Sequence, residues 1–252
     1  MRTGGRGSGI LDIMFIVDLL DRFFPLVSIA GILIVAAAII AHYVLFGPRH
    51  PEFAKEKRDV RRFSGCEKLI HALTILGFFA LGITGFVSVI FFGKALTGWL
   101  RYIHIAAAPF FAAALALIAL RWAGDCRFQT HDWEWVKKFG GYLGDRGYVP
   151  ADRYNAGQKV FFWFIAALGI LCMLSGLGRM FPLFGPDIQT IIYQIHRYSS
   201  LGLFIFVIVH IYLGTVANPG TWHVIVSGYV SFRWAKEHHP LWWKRLDKSG
   251  QD

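Results

Sequence analysis

Two histidines on one apolar stretch are the first chemical signal in this chain. Residues 194–219, QIHRYSSLGLFIFVIVHIYLGTVANP, carry His196 and His210 in a run otherwise suited to lipid. Ionisable groups inside a bilayer are costly, and they mark function or pairing. The two are 14 residues apart. A helix rising about 1.5 Å and turning about 100° per residue separates them by about 21 Å and keeps them within about 40° of one face. Neutral imidazole binds metals and haem iron. One face with a ligand at each of two depths predicts two stacked sites, each completed by a histidine from another helix.

The elements that must position these groups are membrane spans. The chain has 252 residues, of which 55% are hydrophobic and 16% aromatic, and its mean hydropathy is +0.47. That is too apolar for a soluble domain of this length, so the expected fold class is an all-α membrane protein, a transmembrane helical bundle. Five spans are predicted, at about 26–46, 69–92, 102–122, 160–177 and 188–216. Ahead of the first, 10–24 sets Ile10, Met14, Val17 and Phe24 against Asp12, Asp18 and Asp21, which predicts an amphipathic helix at the interface. Those acidic residues, with Arg22, also argue against a cleavable leader. In the second span Gly77, Gly82 and Gly85 leave room for a neighbouring helix or a flat ligand. The chain divides into 1–60 (interfacial helix, extra span and linker), 61–218 (a four-helix unit) and 219–252 (a C-terminal tail).

The formal charge of +10 reads as topology, because the cations sit in loops between apolar runs and not on a soluble nucleic-acid-binding face. Cys66, Cys126 and Cys172 form neither C-x-x-C nor C-x-x-C-H, which excludes thioether haem attachment and an iron–sulphur ligand set. Lys and Arg are abundant in 47–68, 123–159 and the tail. They are sparse in 93–101, with Lys94 and Arg101, and in 178–187. The positive-inside rule then puts the rich set in the cytoplasm and the N-terminus outside. His71 and His210 come to share the inner depth, His104 and His196 the outer one. This is the arrangement expected of two bis-histidine haems stacked across a membrane. His42, also at inner depth, is a rival to His71 but reads as an interfacial side chain. His131, His223, His238 and His239 read as solvated or headgroup-contacting, and Trp99, Trp122, Trp163, Trp222, Trp242 and Trp243 as interfacial anchors.

A second candidate lies at Tyr154-Asn155-Ala156-Gly157-Gln158-Lys159, before the fourth span. Asn155 and Gln158 supply amide donors and Gly157 permits close backbone approach, as a quinone headgroup at the membrane edge requires. Read alone, the same residues are a helix cap with Asn155 as N-cap, and that is the reading the residues by themselves favour.

Several motifs together resemble the cytochrome b (gamma) subunit of membrane-bound respiratory formate dehydrogenase, over about 61–246. They are R-F-S-G-C-E-K-L-I-H-A-L-T with L-G-I-T-G, I-H-I-A-A-A-P-F-F, Y-N-A-G-Q-K-V-F-F-W, I-H-R-Y-S-S-L-G-L-F-I-F-V-I-V-H-I-Y and R-W-A-K-E-H-H-P-L-W-W. The resemblance implies a diheme b-type cytochrome, with His104 and His196 on an outer haem b and His71 and His210 on an inner one. It further implies quinone reduction at Asn155, Gly157 and Gln158, with menaquinone or ubiquinone as substrate. Implied partners are an iron–sulphur (beta) subunit and a molybdenum or tungsten catalytic (alpha) subunit on the periplasmic side of a bacterial inner membrane, in a trimer of heterotrimers. Residues 1–60 depart from the four-helix pattern by adding a span. A sister cytochrome serving a hydrogenase or thiosulphate reductase would share the haems; a non-redox anchor or transporter would share only the spans.

Overall fold

The structure, a computed structural model, describes residues 5–91, 96–144 and 147–248. Lys94 and Arg146, two of the loop cations counted above, lie outside the described residues. The helices are α1 (Gly5–Phe46), α2 (Gly65–Phe86), α3 (Gly98–Trp122), α4 (Thr130–Lys137), α5 (Ala156–Met180) and α6 (Pro186–Gly214), with α2 running on into a π-helical turn, Val87–Phe91. Among the described residues five helices are long and apolar enough to cross a membrane: Asp12–Phe46, Gly65–Ile90, Gly98–Trp122, Ala156–Met180 and Pro186–Gly214. The expected all-α bundle with five spans stands.

Local sequence explains where these helices begin. Ser64 and Glu67 form a reciprocal cap on α2, with Glu67 N donating to Ser64 Oγ at 3.2 Å and Ser64 N to Glu67 Oε2 at 2.9 Å. Pro186 opens α6 with Asp187 beside it; its missing N–H is harmless in a first turn, and the carboxylate faces the positive end of the helix dipole. Small residues then set the packing distances. A Cβ at Gly77 would lie 2.9 Å from Phe111 Cβ, and one at Gly169 2.3 Å from Leu115 Cδ2, so α2 meets α3, and α5 meets α3, at glycine contacts. Helix α5 packs on α6, and α1 lies along α6.

The N-terminal region differs from the sequence expectation. In place of a separate interfacial helix over 10–24, α1 is one uninterrupted helix through Pro25. Pro25 removes a single backbone hydrogen bond, which a membrane helix tolerates when neighbouring groups satisfy what is freed. Asp21, still half exposed, pairs with Arg197 on α6.

At the end of the bundle where α2 starts and α6 finishes, the basic segments fold into a cap. Strand β1 (Val60–Arg61) pairs antiparallel with β2 (Tyr229–Val230), Val60 opposite Val230. The short helices α7 (His223–Ser227), α8 (Phe232–His238) and α9 (Pro240–Lys248) complete it. Its core is Phe53, Val224, Val230, Trp234, Ala235 and Trp242. The linker and tail, which the sequence reading kept apart, thus form one layer, and Trp242 is core in place of an interfacial anchor. Arg62 is buried within it. Its guanidinium lies 4.9 Å from the Trp234 ring centre and 5.3 Å from that of Trp242, and it donates to Arg153 O at 2.7 Å. Loss of hydration lowers the Arg62 pKa to about 10.

Candidate haem and quinone sites

The four span histidines fall into the two expected pairs. At the end opposite the cap, His104 of α3 and His196 of α6 have ring centres 6.2 Å apart. At the capped end, His71 of α2 and His210 of α6 are 6.5 Å apart. Each pair joins two helices, and α6 serves both. All four rings are half-buried.

These separations can be tested against an iron between the rings. With metal–nitrogen bonds of about 2.0–2.1 Å and a nitrogen roughly 1.1 Å from the imidazole centre, two histidine rings sharing one metal ion between them would stand about 6.3 Å apart. Both pairs meet that value.

The open-end pair also shows which nitrogen is available. Thr84 Oγ1 donates to Ala80 O at 2.7 Å and therefore accepts from His104 Nδ1 at 2.8 Å. Ser175 Oγ donates to Leu171 O at 2.5 Å, and His196 Nδ1 donates to Cys172 O at 3.1 Å with Ser175 Oγ at 3.2 Å. With the proton on Nδ1 in both rings, Nε2 keeps its lone pair for a metal. Glycine leaves space beside both: a Cβ at Gly85 would lie 3.5 Å from His104 Cε1, and one at Gly176 3.4 Å from His196 Cε1. The donor set and its supports fit a b-type haem.

The capped-end pair is framed by rings. Phe161 stacks on His210 with centres 4.1 Å apart and planes 6° apart, and Trp122 lies 6.3 Å from His71. The buried His71 Nδ1 has no hydrogen-bond partner among the described residues.

The second candidate element is a helix cap in the structure. Asn155 Oδ1 accepts from Gln158 N at 2.9 Å and Gln158 Oε1 accepts from Asn155 N at 3.0 Å. The cap uses the two amide oxygens and leaves the NH₂ groups outside it, so capping and donation to a ligand are compatible. Gly157 faces Trp135 of α4, whose Cη2 would be 2.6 Å from an added Cβ. Lys159 next to it is buried and donates to Asp132 Oδ2 at 2.7 Å, pinning α4 to α5.

Other residues take places outside the two pairs. His42 does not join a pair; its Nδ1 lies 2.5 Å from Tyr212 Oη and its Nε2 3.0 Å from Tyr142 O, so it ties α1 to α6. His239, expected in solvent, is buried in the cap with Nδ1 2.5 Å from Asp152 O. Burial holds His238 and His239 well below the ordinary histidine pKa. Trp122, expected as an anchor, donates from Nε1 to the buried Glu67 Oε1 at 2.9 Å. Thr84, Ser175 and Phe161 gave no warning in sequence, since hydroxyls and rings are common in membrane helices; of Gly77, Gly82 and Gly85, which hinted at close approach, Gly85 is the one beside His104.

Comparison with known proteins agrees with this architecture. The profile of the family described as prokaryotic cytochrome b561 matches residues 62–228. The chain is 30% identical over 220 residues to the formate dehydrogenase cytochrome b556 subunit of Haemophilus influenzae, covering 80% of this chain and 90% of that one. It is 24% identical over 209 residues to the formate dehydrogenase cytochrome b556(fdo) subunit of Escherichia coli K12, covering 77% and 97%. To the nitrate-inducible b556(Fdn) subunit of the same organism it is 27% identical over 204 residues, covering 73% and 89%. The chain belongs to the prokaryotic cytochrome b561 family, among the cytochrome b subunits of formate dehydrogenases.

Proposed function

We propose that this chain is the diheme, quinone-reducing membrane subunit of a formate dehydrogenase complex. The observation that carries the reading is the two histidine pairs, 6.2 Å and 6.5 Å between ring centres, stacked along one shared helix. His104 and His196 hold one haem b through Nε2, and His71 and His210 hold the other. A bound b haem supplies reversible one-electron iron chemistry.

The charge of the loops supports an orientation with the cap in the cytoplasm and the N-terminus in the periplasm of a bacterial inner membrane. His104 and His196 then face a periplasmic iron–sulphur subunit, fed by a molybdenum or tungsten catalytic subunit. His71 and His210 lie toward the quinone. Asn155 and Gln158 orient the quinone, menaquinone or ubiquinone, with their amide NH₂ groups, Gly157 between them packs against Trp135, and protons enter from the cytoplasm. The chain has no cysteine cluster of its own for an iron–sulphur centre, so formate oxidation belongs to the partners. A trimer of such heterotrimers is the proposed assembly.

The test of the quinone step is haem reoxidation by a soluble quinone analogue in native membranes. Replacing both Asn155 and Gln158 by Ala is expected to slow reoxidation at least tenfold while both haems remain bound; an unchanged rate moves the quinone elsewhere. Co-purification of an iron–sulphur subunit tests the partner assignment, and capture of a hydrogenase in its place would overturn it.

A further inference from the structure

The extra helix α1 is fastened to α6 at two places, each within two residues of a proposed haem ligand. At the capped end His42 meets Tyr212, two residues after His210. At the open end Asp21 pairs with Arg197, the residue after His196. The open-end fastening is the denser one. Asp21 Oδ1 also accepts from Gln194 Nε2 at 2.9 Å, Tyr198 Oη donates to Leu20 O at 3.0 Å, and the Arg197 guanidinium lies 3.8 Å from the centre of the Phe24 ring. Between the two ends a Cβ at Gly31 would stand 3.1 Å from Ile205 Cδ1, so the helices remain in contact.

Arg197 is 8% exposed, and a second guanidinium lies close by. Arg179 of α5 stacks on Tyr193 at 4.6 Å, the ring that Arg197 also covers at 4.8 Å. A buried guanidinium without a counter-charge is strongly unfavourable, and charge close to a metal site in a low-dielectric region acts on the metal with little screening. The carboxylate that Arg197 is paired with comes from α1, outside the 62–228 stretch that matches the family.

We propose that α1 is a tuning helix, whose Asp21 neutralises Arg197 and thereby keeps the reduction potential of the haem held by His104 and His196 lower than an unpaired Arg197 would allow. This rests on the diheme reading above. Ferric haem carries one more positive charge than ferrous, so an added positive charge beside it favours the reduced state and raises the midpoint. The effect is local: His210 lies about 21 Å from His196 along α6, at about 1.5 Å per residue, and the midpoint of the haem it would hold is expected to move little.

The experiment is a redox titration, followed in the haem absorption bands, of the full chain assembled with its partner subunits in native membranes. Asp21→Asn keeps the shape and removes the charge; it is expected to shift the midpoint of the His104/His196 haem upward and leave the other unchanged. Asp21→Glu retains the charge and is expected to return the midpoint toward its original value. Asp21→Asn combined with Arg197→Gln, which restores neutrality, is expected to do the same. Two bound haems with unaltered midpoints in Asp21→Asn overturn the proposal while leaving the diheme reading intact, and an equal shift in Asp21→Glu overturns the charge basis. Absence of b-type bands from the unmodified protein overturns the diheme reading and this proposal with it.

Discussion

The open-end histidine pair is braced by hydrogen bonds, whereas the capped-end pair is braced by rings. His104 and His196 both have Nδ1 held, by Thr84, Ser175 and the Cys172 carbonyl. His71 Nδ1 is buried without a partner among the described residues, and His210 is stacked on Phe161. Hydrogen bonding at Nδ1 makes an imidazole more basic and favours the oxidised metal. The same two-histidine ligation is therefore expected to give two different potentials, lower at the open end and higher at the capped end. Electrons entering at the open end would run downhill toward the proposed quinone site.

The strongest way to break this comparison is to remove ligands. Replacing His104 by Ala is expected to abolish one haem and spare the other, and replacing His71 by Ala the reverse, read as a halved haem-to-protein ratio. Loss of both haems from either variant would mean that the pairs are not separate sites.

The next largest effect separates the two ends by stability. The buried Lys159–Asp132 pair belongs to the capped end alone. Replacing Asp132 by Ala leaves an uncompensated buried ammonium and is expected to cost about 3–5 kcal/mol. Heat release should then reach the His71/His210 haem first. Asp132→Leu with Lys159→Met is expected to regain most of the loss, because matched apolar groups of similar volume need no counter-charge.

Smaller shifts sharpen the contrast between hydrogen bonds and rings. Thr84→Val and Ser175→Ala each remove one hydrogen bond to a histidine Nδ1, worth about 0.5–1.5 kcal/mol, along with the hydroxyl's bond to its own helix backbone. Each is expected to raise the open-end midpoint without moving the other. Phe161→Leu removes a stacking contact worth about 0.5–1.5 kcal/mol and is expected to perturb only the capped-end haem. If all three variants shift both haems alike, the difference in surroundings is not what distinguishes the sites.

The pairing was legible in sequence because histidine in an apolar run is rare and loop charge fixes its depth. The five spans were legible for the same thermodynamic reason, since about twenty apolar residues have few other stable states. The course of α1 was not: three aspartates over 10–24 looked like the polar face of a separate interfacial helix, and only the position of Arg197, 176 residues away in the chain, shows where Asp21 finds its charge. Nor was the cap legible. Val60 pairs with Val230 across most of the chain, and strands of two residues carry no periodicity to read. At Asn155 and Gln158 the sequence offered both a cap and a ligand site; the cap is present, and its free amide donors keep the ligand role open to experiment.

The central claim is tested most directly by counting haems and reading their ligation in the purified full chain. Extraction as the pyridine complex, with paramagnetic resonance of the oxidised protein, is expected to give two b haems per chain and two low-spin signals of bis-histidine type. One haem per chain, none, or a high-spin signal from an iron lacking a second histidine would contradict the account.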